Sequence, residues 1–363
     1  MRTDTMEERR NEYGSLIKPG NGGEDYPPAL LVIAGPTAAG KTALGIALAK
    51  RLDGEIVSAD SMQIYRGMDI GTAKATVQEQ REVPHHMLDL LRPGENYSVS
   101  RYADEAEKAC GEIFRRGRQP VVVGGTGLYI DALIAGRQFA GTEEKRDDSS
   151  LREALSADYE HLGGEEMLRR LREVDPEKAG KLAPTDRRRI IRALEIYRLT
   201  GKTMSAHDME SRLQPPAFRA LYTVVSFEDR EKLYRRIEDR VDRMCREGLF
   251  EETQRLLDMG IPETSTCMQA IGYRQAAQAL RGEISREEAV GLIKQATRRY
   301  AKRQLTWFRR HDEALWLFAD RMSSEEMTAA VLERFGDMRG ASFAGEHACG
   351  ARNSKEGMKH DNG

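Results

Sequence analysis

The chain has 363 residues and a formal net charge of −2, with 32% charged and 6% aromatic residues. The near-zero net charge excludes a protein whose whole surface attracts nucleic acid, so any such binding must come from local basic patches. No apolar run approaches the length of about 18 residues that a membrane span needs, and the N-terminus lacks a signal-peptide segment. The length allows two domains, or one domain with a large insertion.

The cysteines indicate the cellular compartment of the protein, and the composition of the two terminal segments indicates their order. Four cysteines stand far apart, at Cys110, Cys245, Cys267 and Cys349. No pair has zinc spacing, and a disulfide framework is untypical of a chain this long, so we expect a cytoplasmic protein. Residues 1–28 and 336–363 are polar and rich in glycine, and we expect a disordered leader and a disordered tail.

The strongest local motif lies at residues 29–42. An apolar run ends in the string Gly-Pro-Thr-Ala-Ala-Gly-Lys-Thr, and helix-forming residues follow. The string fits the phosphate-binding pattern G-x-x-x-x-G-K-[ST] at every fixed position, whereas a glycine-rich turn without ligand needs none of these positions. Its N–H groups and lysine suit a diphosphate, and its threonine suits Mg²⁺. The predicted diphosphate-binding residues are Gly35, Pro36, Thr37, Ala38, Ala39, Gly40, Lys41 and Thr42.

Four further segments have strand character. Residues 54–58 lead to Asp60, and residues 120–125 end in Gly124-Gly125 rather than in the aspartate that nucleotide hydrolases use to hold Mg²⁺. Residues 221–227 and 314–318 complete the set. We therefore predict an α/β fold with a P-loop NTPase-like parallel sheet flanked by helices, and a phosphate loop that is not built for hydrolysis.

The stretch 65–98 is irregular and contains His85 and His86. No acidic or cysteine partner stands at metal-ligand spacing, so packing or positioning is favoured over metal binding.

Residues 140–217 interrupt the alternation of strands and helices. Helical patterns at 149–162, 165–174 and 185–200 have no strand between them, which predicts a helical insertion domain within a core made of 29–139 and 218–320. Residues 181–202 carry seven basic residues against two acidic ones. This stripe fits RNA phosphates, and a merely solvated helix face is an equally open alternative.

A second basic segment is the long helix predicted over 285–310. Between Val290 and His311 it has seven basic residues and no acidic one, with Trp307 and Phe308 among them. Basic residues interleaved with aromatic ones favour nucleic-acid binding. The alternative is that the aromatic side chains belong to the core.

Together these motifs resemble the tRNA dimethylallyltransferases, also called tRNA isopentenyltransferases, over about residues 29–320. The strings that carry the resemblance lie at 35–42, 58–74, 84–86, 124–129, 189–195, 271–274 and 299–309. The strings 58–74 (Ser-Ala-Asp-Ser-Met-Gln-Ile-Tyr-Arg-Gly-Met-Asp-Ile-Gly-Thr-Ala-Lys) and 299–309 (Arg-Tyr-Ala-Lys-Arg-Gln-Leu-Thr-Trp-Phe-Arg) are the most specific. The chain lacks the C-terminal zinc finger of eukaryotic relatives and resembles the bacterial type.

The resemblance implies transfer of a dimethylallyl group from its diphosphate to N6 of the adenosine at tRNA position 37, next to the anticodon. It implies Asp60 as general base, Thr126 as a catalytic contact to the target nucleotide, and Arg240 as a further diphosphate ligand with Arg236 as the substitute. Thr42 would hold Mg²⁺, the only cofactor. The implied tRNA-binding residues are Asp60, Ser61, Met62, Gln63, Arg152, Arg188, Arg189, Ile190, Ile191 and Arg192. The partners are tRNA and dimethylallyl diphosphate, without membrane, and we expect a monomer.

Three other functions remain open on the sequence. A P-loop small-molecule kinase would also place an aspartate after the second strand. A related enzyme could prenylate free adenine nucleotides. A non-enzymatic RNA-binding protein would not need Asp60.

Overall fold

A computed structural model of the chain describes residues 27–136, 149–213 and 215–349, without the side chains of 149, 212 and 341–349. The predicted leader lies outside these residues except for Pro27 and Pro28, as does the tail beyond 349. The chain divides into two compact units. The first comprises the residues up to Ile134 and from Ala217 onward, and the second is Ala135–Pro216.

The first unit contains a six-stranded sheet in which every pair of neighbours is parallel. Its strands are β1 (Ala29–Ala34), β2 (Gly54–Ser58), β3 (His85–His86), β4 (Gln119–Gly124), β5 (Arg219–Ser226) and β6 (Leu315–Phe318). The central strands are buried along almost their whole length, as expected for a parallel sheet covered on both faces. The predicted α/β class with a parallel sheet is confirmed.

The helices of the described residues, in chain order, are α1 (Lys41–Arg51), α2 (Val77–Glu82), α3 (Val99–Arg115), α4 (Gly127–Ala135), α5 (Ser149–Val174), α6 (Pro176–Ala179), α7 (Arg187–Thr200), α8 (Met204–Leu213), α9 (Arg230–Glu247), α10 (Leu249–Asp258), α11 (Tyr273–Leu280), α12 (Arg286–Phe308) and α13 (Ser324–Cys349). None of them has the length and apolar character needed to cross a lipid bilayer.

The strand order β3-β2-β4-β1-β5-β6 decides which loops meet. Strand β1 pairs with β4 on one side and with β5 on the other, and β4 pairs with β2. Because all strands run the same way, the segments that follow β1, β2 and β4 leave the sheet at one edge. That edge is where open α/β sheets bind ligands.

Two elements of the first unit differ from the sequence prediction. The prediction had five strands and missed β3, which has only two residues and pairs with β2 at Ile56 and Val57. Helix α13 continues to Cys349, and so extends into the segment 336–363 for which the sequence predicts disorder. Phe335 is 1% exposed and Met338 is partly buried, and both pack on one face of the sheet, which stabilises this helix.

The histidine pair in β3 has structural partners. His86 Nε2 lies 2.6 Å from an oxygen of Glu55, which also accepts hydrogen bonds from Arg116 and Arg118. Burial raises the pKa of Glu55, but these hydrogen bonds outweigh it and lower the pKa to about 2. His85 Nδ1 lies 2.7 Å from the carbonyl oxygen of Val83. These contacts hold both histidine side chains in place within the fold.

The second unit is built from α5 to α8. Its longest element, α5, is broken at Gly163, where φ is 82° and ψ is 162°, so it consists of two helices as the sequence predicts. The core is apolar and includes Leu155, Met167, Leu171, Ile190, Ile191 and Leu194.

The chain leaves the first unit and returns to it at one point. The carbonyl oxygen of Ile134 accepts hydrogen bonds from the N–H groups of Ala217 and Phe218, at 3.0 and 3.4 Å. The second unit is therefore an insertion between two residues of the first unit that hydrogen-bond each other.

A buried carboxylate fixes the string 58–74. Glu252 is 2% exposed and accepts hydrogen bonds from the N–H groups of Asp69, Ile70 and Gly71 at 2.9–3.1 Å, and from the Tyr273 hydroxyl at 2.6 Å. Gly71 cannot be replaced easily, since a Cβ there would lie 2.5 Å from the Tyr273 ring. The loop that follows Asp60 is thus held by a residue far away in sequence.

We expect Glu252→Ala to lower the free energy of unfolding by about 3–5 kcal/mol, because it leaves buried N–H groups without an acceptor. Urea denaturation followed by circular dichroism measures this change. The neighbouring exposed Glu251 gives the control, since Glu251→Ala should change the free energy by about 0.5 kcal/mol or less. Equal effects of the two substitutions would contradict this role of Glu252.

Candidate active site

The phosphate-type loop joins β1 to α1 and has the backbone of an anion cradle. Gly35, Ala38 and Gly40 have φ values of 145°, 64° and 97°. Gly40 is the N-cap of α1 and has no side-chain capping bond, so the first N–H groups of the helix have no side-chain acceptor from that residue. At Gly35 a Cβ would lie 2.2 Å from the carbonyl oxygen of Val225, which explains glycine there.

Lys41 points back into this loop. Its ammonium group donates a hydrogen bond to the carbonyl oxygen of Pro36 at 2.7 Å. Burial and the positive charge of Arg240 lower the pKa of Lys41 to about 7, while the negative charge of Asp60 acts in the opposite direction. Because burial removes hydrating water from the ammonium group and Arg240 adds a second positive charge nearby, this position is suited to a multiply charged anionic ligand.

Two arginines of α9 reach the same region. The Arg236 guanidinium donates a hydrogen bond to the carbonyl oxygen of Ala38 at 3.0 Å. Arg240 donates one to Thr72 at 3.5 Å, and burial lowers its pKa from the usual value while Asp60 opposes that change. Arg236 is thus engaged in holding the loop, whereas the Arg240 charge influences the pKa of Lys41 and is itself influenced by the charge of Asp60.

Asp60 lies two residues beyond β2 and is half-buried. One of its carboxylate oxygens accepts a hydrogen bond from the N–H of Met62 at 2.9 Å. Thr126, which follows β4, accepts one from the N–H of Ser61 at 3.1 Å. The two predicted catalytic residues are therefore brought together by adjacent strand ends.

The other predicted residues of this segment are held in place by the backbone around them. Gln63 accepts a hydrogen bond from the Ser58 hydroxyl at 3.1 Å and donates to the carbonyl oxygens of Thr72 and Ala73, both at 3.3 Å. Ser61, Met62 and Gln63 are all half-buried. The contact of these residues with tRNA stays a prediction.

Three glycines at the end of β4 and just after it allow close approaches of other chain segments. A Cβ at Gly124 would lie 2.1 Å from the carbonyl oxygen of Ala59, one at Gly125 would lie 2.3 Å from Gln304, and one at Gly127 would lie 2.2 Å from Trp307. Gln304 and Trp307 belong to α12. The string Gly-Gly-Thr-Gly is therefore shaped by a helix that begins 159 residues after Gly127 in sequence.

Sequence reasoning missed two residues of α12 at this edge. The Gln304 amide accepts a hydrogen bond from the N–H of Thr37 at 3.0 Å and donates one to Gly125 at 2.9 Å. Tyr300 lies near Asp60 and Thr126. Burial and the charge of Asp60 raise the pKa of the Tyr300 hydroxyl to about 12. Both residues lie in the string 299–309. The specificity of that string for the family is the sequence signal that could have identified them.

Thr42 is half-buried in the first turn of α1. Within the described ranges, no group of three or more His, Cys, Asp or Glu side chains could hold a metal ion by itself. Mg²⁺ commonly takes one or two protein oxygens, with phosphate oxygens and water completing its shell. The Thr42 hydroxyl fits that kind of site and does not fit an all-protein cage.

The predicted tRNA residues of the second unit lie on two helices. Arg152 of α5 and Arg192 of α7 both bind Glu195, a carboxylate whose side chain is 3% exposed, at 2.9 Å. Arg188 and Arg189 are exposed on α7. Ile190 and Ile191 are 0% and 7% exposed and belong to the core of the second unit, and their contact with tRNA stays a prediction.

If Arg189 contacts one tRNA phosphate, as the resemblance implies, we expect Arg189→Ala to weaken tRNA binding a few-fold and to reduce the slope of log affinity against log salt by about one. Filter binding over a range of salt concentrations measures both quantities. Arg169 of α5 provides the control, since it is exposed but paired with Glu166 and Glu173. An unchanged salt slope in Arg189→Ala would remove this residue from the tRNA surface.

The second basic segment divides its residues between two roles. Lys294 and Arg298 pair with Asp242 and Glu238 of α9. Five other basic residues are exposed and form what we call the basic face: Arg299, Lys302, Arg303, Arg309 and Arg310. Phe308 is fully buried in the core, whereas Trp307 is partly buried against the core and donates a hydrogen bond to Asp131 at 2.9 Å.

Comparison with known proteins identifies two family models in the chain. The model described as IPP transferase matches residues 63–311, and the one described as isopentenyl transferase matches residues 28–92. The curated tRNA dimethylallyltransferase of Geobacter metallireducens is 47% identical over 294 residues, which are 81% of this chain and 94% of that one. The same-named protein of Caldanaerobacter subterraneus is 44% identical over 306 residues, covering 84% and 96%.

Solved structures agree with this result. The tRNA delta(2)-isopentenylpyrophosphate transferase of Staphylococcus epidermidis is 41% identical and superposes with a TM-score of 0.62, covering 86% of this chain and 99% of that one. A eukaryotic dimethylallyltransferase acting on tRNA is 28% identical, with a TM-score of 0.70 and coverages of 91% and 81%. The chain belongs to the IPP transferase family, and its curated relatives at 44–48% identity are prenyltransferases named tRNA dimethylallyltransferase.

Proposed function

We propose that this protein transfers the dimethylallyl group of dimethylallyl diphosphate to N6 of the adenosine at tRNA position 37, next to the anticodon. The observation that carries the proposal is the meeting of a diphosphate cradle and a carboxylate at one sheet edge. The cradle follows β1, and Asp60 and Thr126 follow β2 and β4.

The donor half would be the loop 35–42 with Arg240. The loop N–H groups and the Lys41 ammonium would bind the diphosphate oxygens, and Arg240 would add a second positive charge. Thr42 would hold Mg²⁺, which when bound supplies further positive charge to the diphosphate. These charges stabilise the leaving group, which is the larger electrostatic contribution to such a displacement.

The acceptor half would be Asp60 with Thr126. The N6 amine is a poor nucleophile, since its lone pair is delocalised into the ring. As the bond from N6 to the allylic carbon forms and the carbon–oxygen bond to diphosphate breaks, Asp60 accepts the N6 proton. Thr126, hydrogen-bonded to Ser61, would contact the target nucleotide. The adenine must leave its stack to reach this edge, at a cost of a few kcal/mol.

Binding of tRNA would rest on exposed arginines of α7 with Arg152, on residues 60–63, and on the basic face. The exposed arginines of α7 and the basic face are available for phosphate contacts, which can offset the cost of extruding the base. No organic or redox cofactor is needed for a displacement of this kind. We propose that the protein works as a monomer in the cytoplasm.

The test is nucleoside analysis of tRNA after incubation with labelled dimethylallyl diphosphate and Mg²⁺. We expect label in N6-dimethylallyladenosine and release of diphosphate. Parallel reactions with labelled ATP and a metabolite pool test the kinase alternative, and reactions with free AMP or ATP as acceptor test nucleotide prenylation. Label in a metabolite phosphate, or in free nucleotide but not in tRNA, would refute the proposal.

A further inference from the structure

The amide of Gln304 joins two loops of the candidate active site. Its oxygen accepts the hydrogen bond from the Thr37 N–H in the loop after β1, and its nitrogen donates to the Gly125 carbonyl after β4. The side chain is 6% exposed. Both ends of one buried amide are thus used, and each end meets a different strand terminus.

The hydrogen-bonded chain continues beyond Gly125. The next residue, Thr126, accepts the N–H of Ser61, and Ser61 directly follows Asp60. The diphosphate loop is therefore connected to the carboxylate through Gln304, one peptide unit and the Thr126 hydroxyl. Among the described residues, Gln304 is the residue whose side chain hydrogen-bonds both of these loops.

The chemistry of the bridge requires an amide of this length. Thr37 presents a donor and Gly125 an acceptor, so the bridging group must accept at one atom and donate at the other. Glutamate could not donate to the Gly125 carbonyl, and an apolar side chain could do neither. The short approach at Gly125, where a Cβ would lie 2.3 Å from the Gln304 nitrogen, shows that the backbone is fitted to this amide.

We propose that Gln304 is a positioning residue that sets the separation between the bound diphosphate and the Asp60–Thr126 pair. This inference rests on the proposed function. A displacement is sensitive to the alignment of its two reactants, and a misplacement of about 1 Å can lower its rate about a hundredfold. The polar atoms of Gln304 are engaged by the Thr37 N–H and the Gly125 carbonyl, so its loss should act on the chemical step more than on the binding of either substrate.

The test is the single-turnover rate of prenyl transfer at saturating donor and tRNA, with KM measured separately for each substrate. For Gln304→Met, which keeps the length and removes both hydrogen bonds, we expect a rate about 10- to 100-fold lower and both KM values within about threefold of wild type. Gln295 lies on the same helix but is exposed, so Gln295→Met is the matched control with unchanged rate. Gln304→Asn, which is one methylene shorter and can reach only one loop, replaces Gln304→Met if that variant does not fold.

A double-mutant cycle tests the bridge from its other end. Gly125→Ala should displace the Gln304 amide and lower the rate by itself, but it should add little to Gln304→Ala, because the bridge is already lost. The inference is overturned if the Gln304 variants transfer at wild-type rate, if their defect lies only in a KM, or if the two substitutions act independently. Wild-type enzyme that makes no prenylated tRNA in the same assay would instead refute the proposed function.

Discussion

Asp60→Asn is expected to lower the turnover of prenyl transfer at least about a hundredfold while tRNA binding stays unchanged, because a general base contributes that much. Asparagine keeps the oxygen that accepts the Met62 N–H, so the loop after β2 retains its hydrogen bond. What is lost is the ability to accept a proton, which the proposed reaction requires of Asp60 at N6. Multiple-turnover assays with saturating tRNA, together with filter binding, separate the two quantities.

The control comes from the opposite end of the same strand. Asp53 directly precedes β2, its side chain is 85% exposed, and it lies 3.7 Å from Arg118. Its φ of 46° is one that asparagine tolerates. Asp53→Asn should therefore leave turnover and folding unchanged. A turnover close to wild type in Asp60→Asn would remove Asp60 from catalysis and favour a protein that only binds RNA.

Lys41→Met should have the other large effect, a fall of about 10²- to 10³-fold in kcat/KM for dimethylallyl diphosphate. In the proposed reaction the Lys41 charge stabilises the leaving group, and removing one such stabilising group has about this cost. Lys50, near the end of the same helix, pairs with Glu82 at the surface, and Lys50→Met should leave kcat/KM unchanged. If Lys41→Met retained wild-type kcat/KM, the diphosphate would have to bind elsewhere.

The same substitution should raise the melting temperature of the donor-free protein. The pKa of Lys41 falls from an ordinary value of 10.5 to about 7 on folding. At and below pH 7 the folded protein bears the full cost of the buried ammonium. Between pH 7 and 10.5 folding releases the proton, so the stability of wild type rises with pH. The gain from Lys41→Met should therefore be largest near pH 6.5 and small near pH 10. Thermal melts of both proteins across this range measure it.

The elements that the sequence predicted well have signals within a few consecutive residues. The phosphate-type loop has a fixed spacing between a buried strand and a helix, and the structure places it between β1 and α1 as predicted. The position of Asp60 at the ligand edge followed from a short apolar run ending two residues earlier. Buried parallel strands are readable because they are continuous apolar runs.

What the sequence did not predict depends on contacts between distant residues. Gln304 and Thr37 are 267 positions apart, and Glu252 binds a loop that lies more than 180 positions earlier. No local sequence pattern predicts a hydrogen bond between residues so far apart in the chain. The two-residue strand β3 exists because β2 offers it an edge. The core positions of Ile190 and Ile191, and the packing of Trp307 against the core, depend on contacts within their units. Tertiary contacts decided each of these cases.

The hydrogen bonds between Ile134 and the pair Ala217–Phe218 have a practical consequence for dissecting the enzyme. The second unit begins and ends next to residues that hydrogen-bond each other. A tight glycine-containing turn could therefore replace residues 136–215 without stretching the backbone on either side. Such a miniaturised chain would retain the complete sheet and its anion cradle. It would offer a reduced scaffold on which pyrophosphate affinity is measured in the absence of the second unit.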